Sequence, residues 1–193
     1  MPKLAPKDCP LLFLDFETGG LSAAQHDITE VGCVLTDPSG QTVIEEYVAK
    51  VLPVRPVDAQ AAAINGYTAE KWAAAGAVPL KHALIKVLTM GRDAMLTCHN
   101  TPFDKSFLEA ALALHQMRWN GSYHSIDTVS LAMPLLRGGH VPNVRLVTLT
   151  AYLKITHDNA HSALADVRAC REVYLRLMEA YEPGITKLAA SVS

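Results

Sequence analysis

An apolar strand that runs into two acids and a Gly-Gly turn constrains this chain more than any other stretch. Residues 11–20 read LLFLDFETGG, so four apolar residues precede Asp15. Alternate residues of a strand share a face, and Asp15 and Glu17 therefore point one way while Phe16 points the other. Two such acids at the end of a buried strand repel each other and lose hydration, which a bound cation would offset. The stretch alone leaves open the alternative that the strand ends in solvent and both acids are hydrated.

Length and composition predict one soluble intracellular domain. The chain has 193 residues and half of them are hydrophobic, which is enough for a single core. Its net charge of −2 argues against non-specific coating of duplex nucleic acid but allows an enzyme that meets phosphates through metal ions. Four scattered cysteines predict reduced core thiols. Because no signal core or membrane-length apolar run occurs, we expect a cytoplasmic protein without a membrane partner.

The predicted elements begin as a strand meander and continue as strands alternating with helices. Besides the first strand, the predicted strands are 28–36, 41–51, 94–98 and 123–126. The predicted helices are 58–64, a short helix capped by Thr68, 80–90, 102–116, 127–136, 145–153 and 160–181. This order predicts an α/β fold with a mixed five-stranded sheet flanked by helices on both faces. We expect one domain over residues 1–193, with its core at about 11–181, and ligands at the carboxyl ends of the strands.

Two further acids and a histidine are expected at the same rim of the sheet as the first pair. Asp104 follows a predicted strand, and Asp166 lies in the last predicted helix, five residues after His161. Residues five apart do not share a helix face, so Asp166 can face the sheet while His161 sits at or before the helix start. Four carboxylates and one histidine meet the needs of two-metal phosphoryl chemistry, because carboxylate oxygens bind Mg²⁺ or Mn²⁺ and a histidine can deprotonate water.

Three short motifs carry these residues in order along the chain. They are Asp15-Phe16-Glu17 with Thr18-Gly19-Gly20-Leu21, then His99-Asn100-x-x-Phe103-Asp104, then His161-x-Ala163-x-x-Asp166. Together they resemble the DEDDh, or DnaQ-like, 3′→5′ exonucleases, the group that contains the epsilon proofreading subunit of DNA polymerase III and ribonuclease T. The resemblance spans about residues 11–178 and implies a ribonuclease H-like fold. Ser162, where another branch of the group has tyrosine, makes the chain similar to the histidine branch.

The resemblance implies a role for each motif residue. Two divalent cations, Mg²⁺ or Mn²⁺, would be bound by Asp15, Glu17, Asp104 and Asp166. His161 would be the general base, so the catalytic set is this residue and the four acids. The 3′-terminal nucleotides would meet Thr18, Gly19, Leu21, Asn65 and Phe103. Many proofreading relatives have histidine where this chain has Asn65, which leaves the sugar or base preference open.

The implied function is a metal-dependent 3′→5′ exonuclease that releases nucleoside 5′-monophosphates from single-stranded or frayed ends. A frayed end is favoured because it needs no unpairing energy. DNA is the favoured substrate, in proofreading or repair, and a polymerase or another replication protein is a candidate partner. RNA 3′-end processing is the alternative within the same group. An inactive nucleic-acid-binding scaffold is the alternative of another class, and a missing acid or histidine would be its signature. The sequence does not indicate an oligomeric state.

Several residues near the motifs are given structural roles. Asp127 is predicted to be a helix N-cap. Asn100 is predicted to hold its turn through side chain–backbone hydrogen bonds. Glu30 is either an edge residue or an outer acid of the site, and the pattern does not separate the two. His157 and His161 have the spacing of zinc ligands but lack a sulfur partner, so no zinc site is predicted.

Overall fold

The computed structural model describes residues 4–192 and contains a mixed five-stranded sheet. The strands are β1 (Leu11–Thr18), β2 (Ile28–Thr36), β3 (Val43–Lys50), β4 (Met95–Cys98) and β5 (Ser125–Asp127). Their order across the sheet is β3-β2-β1-β4-β5. The first three strands form an antiparallel meander, and β4 and β5 are added parallel to β1. The predicted mixed α/β sheet is therefore confirmed.

Seven α-helices connect or follow the strands in the described part of the chain. A 3₁₀ turn (Pro6–Asp8) precedes them, and the helices are α1 (Ala59–Asn65), α2 (Ala69–Ala74), α3 (Leu80–Met90), α4 (Thr101–Leu114), α5 (Thr128–Arg137), α6 (Leu146–Leu153) and α7 (Ala163–Val192). The predicted start of the last helix at residue 160 is wrong, because His161 has φ 68°, which an α-helix cannot contain. Its predicted end at residue 181 is also wrong. The helix runs through Pro183 to Val192, and its last turns contain the good helix formers Lys187, Leu188, Ala189 and Ala190.

The alternation of β1 divides the apolar core between the two faces of the sheet. Leu12, Leu14 and Phe16 pack with residues of α3 and α4 on one face. Leu11 and Phe13 pack with residues of α7 on the other face. Since Asp15 and Glu17 continue the second series, they point towards α7. Phe16, which is 4% exposed, anchors the strand end on the opposite face, as expected from the sequence.

A glycine lets the first turn of α7 lie directly on the sheet. Gly32 of β2 is paired with Asp15 of β1. A Cβ atom on Gly32 would lie 2.4 Å from the carbonyl carbon of Ala163, closer than any real contact. The absence of a side chain at Gly32 therefore allows the start of α7 to lie against the acid-bearing end of β1.

Two further predictions from composition can be compared with the structure. All four cysteines are buried and free, as expected of core thiols. Within residues 4–192, every helix is too short or too polar to cross a lipid bilayer.

Candidate active site

The carboxyl end of β1 presents the first two acids of the candidate site. Asp15 and Glu17 are both partly buried. Burial raises the pKa of Asp15 well above its usual value, and the negative charges of Asp104, Asp166 and Glu17 raise it further. The two acids therefore lie in a shared negative field and not in open solvent, which excludes the hydrated strand end as a description of this pair.

Asp104 joins the site from the first turn of α4. Pairing between β1 and β4 extends only to Phe13 and Thr97, so the backbone N–H of Phe16 lies beyond it. That N–H donates to Oδ1 of Asp104 at 3.0 Å. Burial raises the pKa of Asp104 to about 8, although the hydrogen bond from Phe16 acts in the opposite direction. Asp104 therefore links α4 to β1 and stands at the rim that the sequence predicted.

Asp166 joins the site from the first turn of α7, together with the loop that precedes this helix. Its Oδ1 lies 2.6 Å from Nε2 of His157, and its Oδ2 accepts the backbone N–H of His161 at 3.2 Å. Oxygen or nitrogen atoms of Glu17, His161 and Asp166 all lie within 4.8 Å of one another. The structure thus brings the four predicted acids and the predicted histidine to one place.

The chemistry of this donor set fits hard divalent cations. Burial, followed by the charges of Asp166 and Glu30, raises the pKa of Glu17 to about 7, while Lys50 lowers it. Carboxylates that repel each other in this way are stabilised by a cation between them. Oxygen donors suit Mg²⁺ and Mn²⁺, which prefer carboxylates and water. The residues present therefore fit the predicted metal ions.

A fifth acid extends the negative cluster along the sheet. Glu30 of β2 is paired with Glu17 on one side and with Lys50 of β3 on the other, so the three side chains share one face. Glu30 is 1% exposed and its Oε2 lies 2.5 Å from Nζ of Lys50. Nζ also lies 4.1 Å from the ring centroid of the fully buried Trp72. Glu30 is therefore a buried outer acid of the site and not an edge residue. The register of the strands decides between these two roles, which the sequence leaves open.

The turn after β1 forms a wall beside the acids. The Asn65 side chain is buried, and its Nδ2 donates to the carbonyl of Thr18 at 3.1 Å while its Oδ1 accepts the N–H of Tyr67 at 3.0 Å. The Gly19 N–H donates to the carbonyl of Asp27 at 2.8 Å. Leu21 is 88% exposed at the tip of the turn. Asn65 thus supports this wall through hydrogen bonds to its backbone, and direct contact between Asn65 and a substrate stays a prediction.

The turn between β4 and α4 is held differently from what the sequence suggested. Asn100 has φ 69° and its side chain makes no capping hydrogen bond, so the predicted role of that side chain is wrong. Asparagine tolerates this left-handed conformation, and the turn is held through its backbone. Oδ1 of Asp127 accepts the N–H groups of Asn100 and Thr101 at 3.0 and 3.2 Å. Asp127 also caps α5, as predicted. Phe103 is partly buried, with its ring centroid 5.0 Å from that of Phe107.

In the part of the chain that the structure describes, His157 and Lys50 contact acids of this cluster although the sequence patterns do not predict it. The four-residue spacing from His157 to His161 is typical of zinc ligands and does not predict a contact between His157 and Asp166. The signal that could have identified His157 is its position in the same loop as the predicted base. Lys50 could have been found only from the pairing of β2 with β3.

Comparison with known proteins connects this geometry to exonucleases. The RNase_T family model, described as an exonuclease, matches residues 12–174. A DNA polymerase III PolC-type protein of Thermotoga maritima is 30% identical over 184 residues, which are 94% of this chain and 13% of that protein. The DNA polymerase III epsilon subunit of Treponema pallidum is 27% identical over 168 residues, which are 85% of this chain and 74% of that protein.

Solved structures of exonuclease I have the same fold. One exonuclease I structure matches with a TM-score of 0.79 at 21% identity, over 95% of this chain and 43% of that chain. Escherichia coli exonuclease I in complex with a dT13 oligonucleotide matches with a TM-score of 0.78 at 22% identity, over 93% of this chain and 43% of that chain. The predicted ribonuclease H-like fold is confirmed by these matches. This chain spans less than half the length of either protein.

Proposed function

Because this chain belongs to the RNase_T, DnaQ-like family of exonucleases, we propose that it shortens single-stranded or frayed DNA from the 3′ end. The products are nucleoside 5′-monophosphates. The observation that carries the proposal is the convergence of four carboxylates and one exposed histidine at the carboxyl end of β1. The inactive scaffold is disfavoured, since every acid and the histidine are present and close together.

The four acids would hold two divalent ions, of which Mg²⁺ or Mn²⁺ suits their oxygens. Such ions, when bound, acidify water and stabilise negative charge on the phosphate. The chain's own residues do the rest. Phe16 fixes the strand end that aims Asp15 and Glu17, and its N–H orients Asp104. The exposed His161 lies beside Glu17 and Asp166 and takes the proton of the attacking water.

The choice of DNA is supported by the relatives. The names of the PolC-type and epsilon proteins place them in DNA polymerase III, and one exonuclease I structure contains oligo-dT. A replication polymerase is therefore the proposed partner, and a cytoplasmic location follows from that proposal. The 3′ terminus would lie against Thr18, Gly19 and Leu21, with Asn65 supporting this wall and Phe103 beside it.

One digestion experiment tests polarity and sugar preference. Matched 5′-labelled DNA and RNA single strands, and a DNA duplex with or without a 3′-terminal mismatch, are incubated with the chain in Mg²⁺ or Mn²⁺. We expect a ladder of progressively shorter labelled DNA, with faster loss from the mismatched duplex. Immediate release of a labelled mononucleotide would show the opposite polarity. Degradation of RNA alone would replace DNA by RNA as the substrate.

Variants of the site separate metal binding from proton transfer. Asp15→Asn should abolish digestion with little loss of fold, because it relieves carboxylate repulsion. His161→Ala should slow digestion by about 10²–10⁴-fold but retain Mn²⁺ binding, as expected for a general base. Glu109→Gln, an exposed acid of α4, is the matched control and should digest normally. Full turnover by Asp15→Asn is incompatible with the proposed site.

A further inference from the structure

His157 lies inside the candidate site, although the proposed reaction gives it no task. It belongs to the loop between α6 and α7, nine residues before Asp166. Its side chain is only 7% exposed, and its Nε2 lies 2.6 Å from Oδ1 of Asp166. The buried His157 ring is therefore held in the site by its contact with the Asp166 carboxylate.

The same loop contacts the other oxygen of Asp166. The backbone N–H of His161 donates to Oδ2 at 3.2 Å. Between these two contacts the chain takes a left-handed conformation at Asn159 and again at His161, with φ 60° and 68°. Such residues cost conformational energy and persist when neighbouring contacts hold them. The two hydrogen bonds to Asp166 supply such contacts at both ends of segment 157–161.

We propose that His157 is a positioning residue that docks segment 157–161 on Asp166 and so sets the place of the His161 ring. The inference rests on the proposed function, in which Asp166 binds metal and His161 is the general base. Partners that orient a metal-binding carboxylate typically contribute 10–100-fold to metal affinity or activity. Here the same contact also holds one end of the loop that carries the general base, so metal binding and proton transfer both depend on it.

The geometry separates this role from that of a second general base. Nε2 of His157 is already directed at Asp166 and its ring is nearly inaccessible to water. His161, in contrast, is exposed and lies beside Glu17. Proton transfer from an attacking water is therefore assigned to His161, and orientation is assigned to His157.

Two substitutions of His157 and one control test the proposal in the full chain. His157→Ala removes the contact, whereas His157→Gln keeps an amide N–H that can reach the same carboxylate oxygen but cannot transfer protons. His82→Ala removes an exposed histidine of α3, on the other face of the sheet from α7. The measurements are hydrogen exchange of segment 157–161 in metal-free protein, Mn²⁺ affinity, and kcat and KM on a single-stranded oligonucleotide.

We expect His157→Ala to speed exchange in segment 157–161 by about 10-fold, the effect of losing one hydrogen bond to a charged group. It should also weaken Mn²⁺ binding and lower kcat by about 10–100-fold with KM little changed. His157→Gln should restore most of each quantity, and His82→Ala should match the wild type.

Two results would overturn the proposal. Wild-type exchange and Mn²⁺ affinity in His157→Ala would show that the contact holds nothing in place. A kcat for His157→Gln as low as that for His157→Ala would assign proton transfer to His157. If the wild-type chain digests no nucleic acid, the proposed function fails by itself, while exchange in metal-free protein still tests the docking of the loop.

Discussion

Glu17→Gln should stabilise the metal-free protein while abolishing its activity. Burial and the charges of Asp166 and Glu30 raise the pKa of Glu17 from 4.5 to about 7. In the unfolded chain the pKa returns to its ordinary value. Folding at pH 8 therefore places an ionised carboxylate in surroundings that favour its neutral form, and this cost reduces the free energy of unfolding. Glutamine keeps the shape of the side chain and has no charge.

The size and sign of the effect follow from the two pKa values. The difference between 4.5 and about 7 corresponds to about 3 kcal/mol, since one pKa unit is worth about 1.4 kcal/mol. Because the pKa of Glu17 is raised in the folded state, the contribution of this carboxyl to the free energy of unfolding is most favourable below pH 4.5 and is lost as the pH rises through about 7. The variant should gain up to about 3 kcal/mol at pH 8, or roughly 6–12 °C in Tm, and little at pH 4.

Thermal unfolding followed by circular dichroism in EDTA measures this difference. Glu109→Gln is the matched control, because its side chain is 66% exposed, and it should change stability by less than about 0.5 kcal/mol. Saturating Mn²⁺ should reverse the order, since a ligand that binds only the folded state stabilises the wild type more than a variant that has lost a ligand. Equal Tm values for wild type and Glu17→Gln at pH 8 in EDTA would refute the electrostatic reasoning, as would an equal gain at pH 4.

Three further substitutions test the packing around the site. Gly32→Ala places a Cβ 2.4 Å from the carbonyl carbon of Ala163, so the free energy of unfolding measured in urea should fall by about 1–3 kcal/mol. We also expect kcat to fall because α7 must shift, and an unchanged kcat would contradict this reasoning. Asn65→Ala leaves the Thr18 carbonyl and the Tyr67 N–H without their partner, so it should cost about 1–3 kcal/mol of stability and raise KM for an oligonucleotide. An unchanged KM would show that Asn65 does not support the substrate-binding turn. Asp127→Ala removes the cap of α5 and the acceptor for the Asn100 and Thr101 N–H groups, so it should cost about 1–3 kcal/mol in urea. It should also weaken Mn²⁺ binding, because the same turn leads into Asp104; unchanged stability in urea would contradict this structural role.

Local patterns in the sequence were sufficient to predict the sheet and the acids. The period of two in β1 places Asp15 and Glu17 on one face and Phe16 on the other, and the structure has this arrangement. Strand β2 and helix α3 also have the predicted bounds. These features depend on alternation, apolar spacing and turn residues, all of which act within a few residues along the chain.

Features that depend on pairing between distant segments could not be predicted in this way. The contact of Glu30 with Lys50 requires the register of β2 with β3. The burial of His157 against Asp166 requires the fold of a loop without periodicity. The predicted start of α7 is too early, because the left-handed conformation of His161 leaves no mark in the pattern of apolar residues. The sequence identifies the chemistry at the site, and tertiary contacts decide which neighbours support it.

The charge balance of the acidic cluster relates its cost in folding stability to its capacity to bind metal ions. Five carboxylates lie in one mutually repelling group and Lys50 supplies one positive charge to it; the acids are Asp15, Glu17, Glu30, Asp104 and Asp166. With all acids ionised, four formal negative charges remain, which equal the charge of two divalent cations. Burial, together with the neighbouring negative charges, raises the pKa of Glu17 to about 7 and that of Asp104 to about 8. Cations bound among these acids would neutralise the excess negative charge and remove the repulsion between the carboxylates. The repulsion that lowers the stability of the metal-free protein would therefore contribute to the affinity for metal ions.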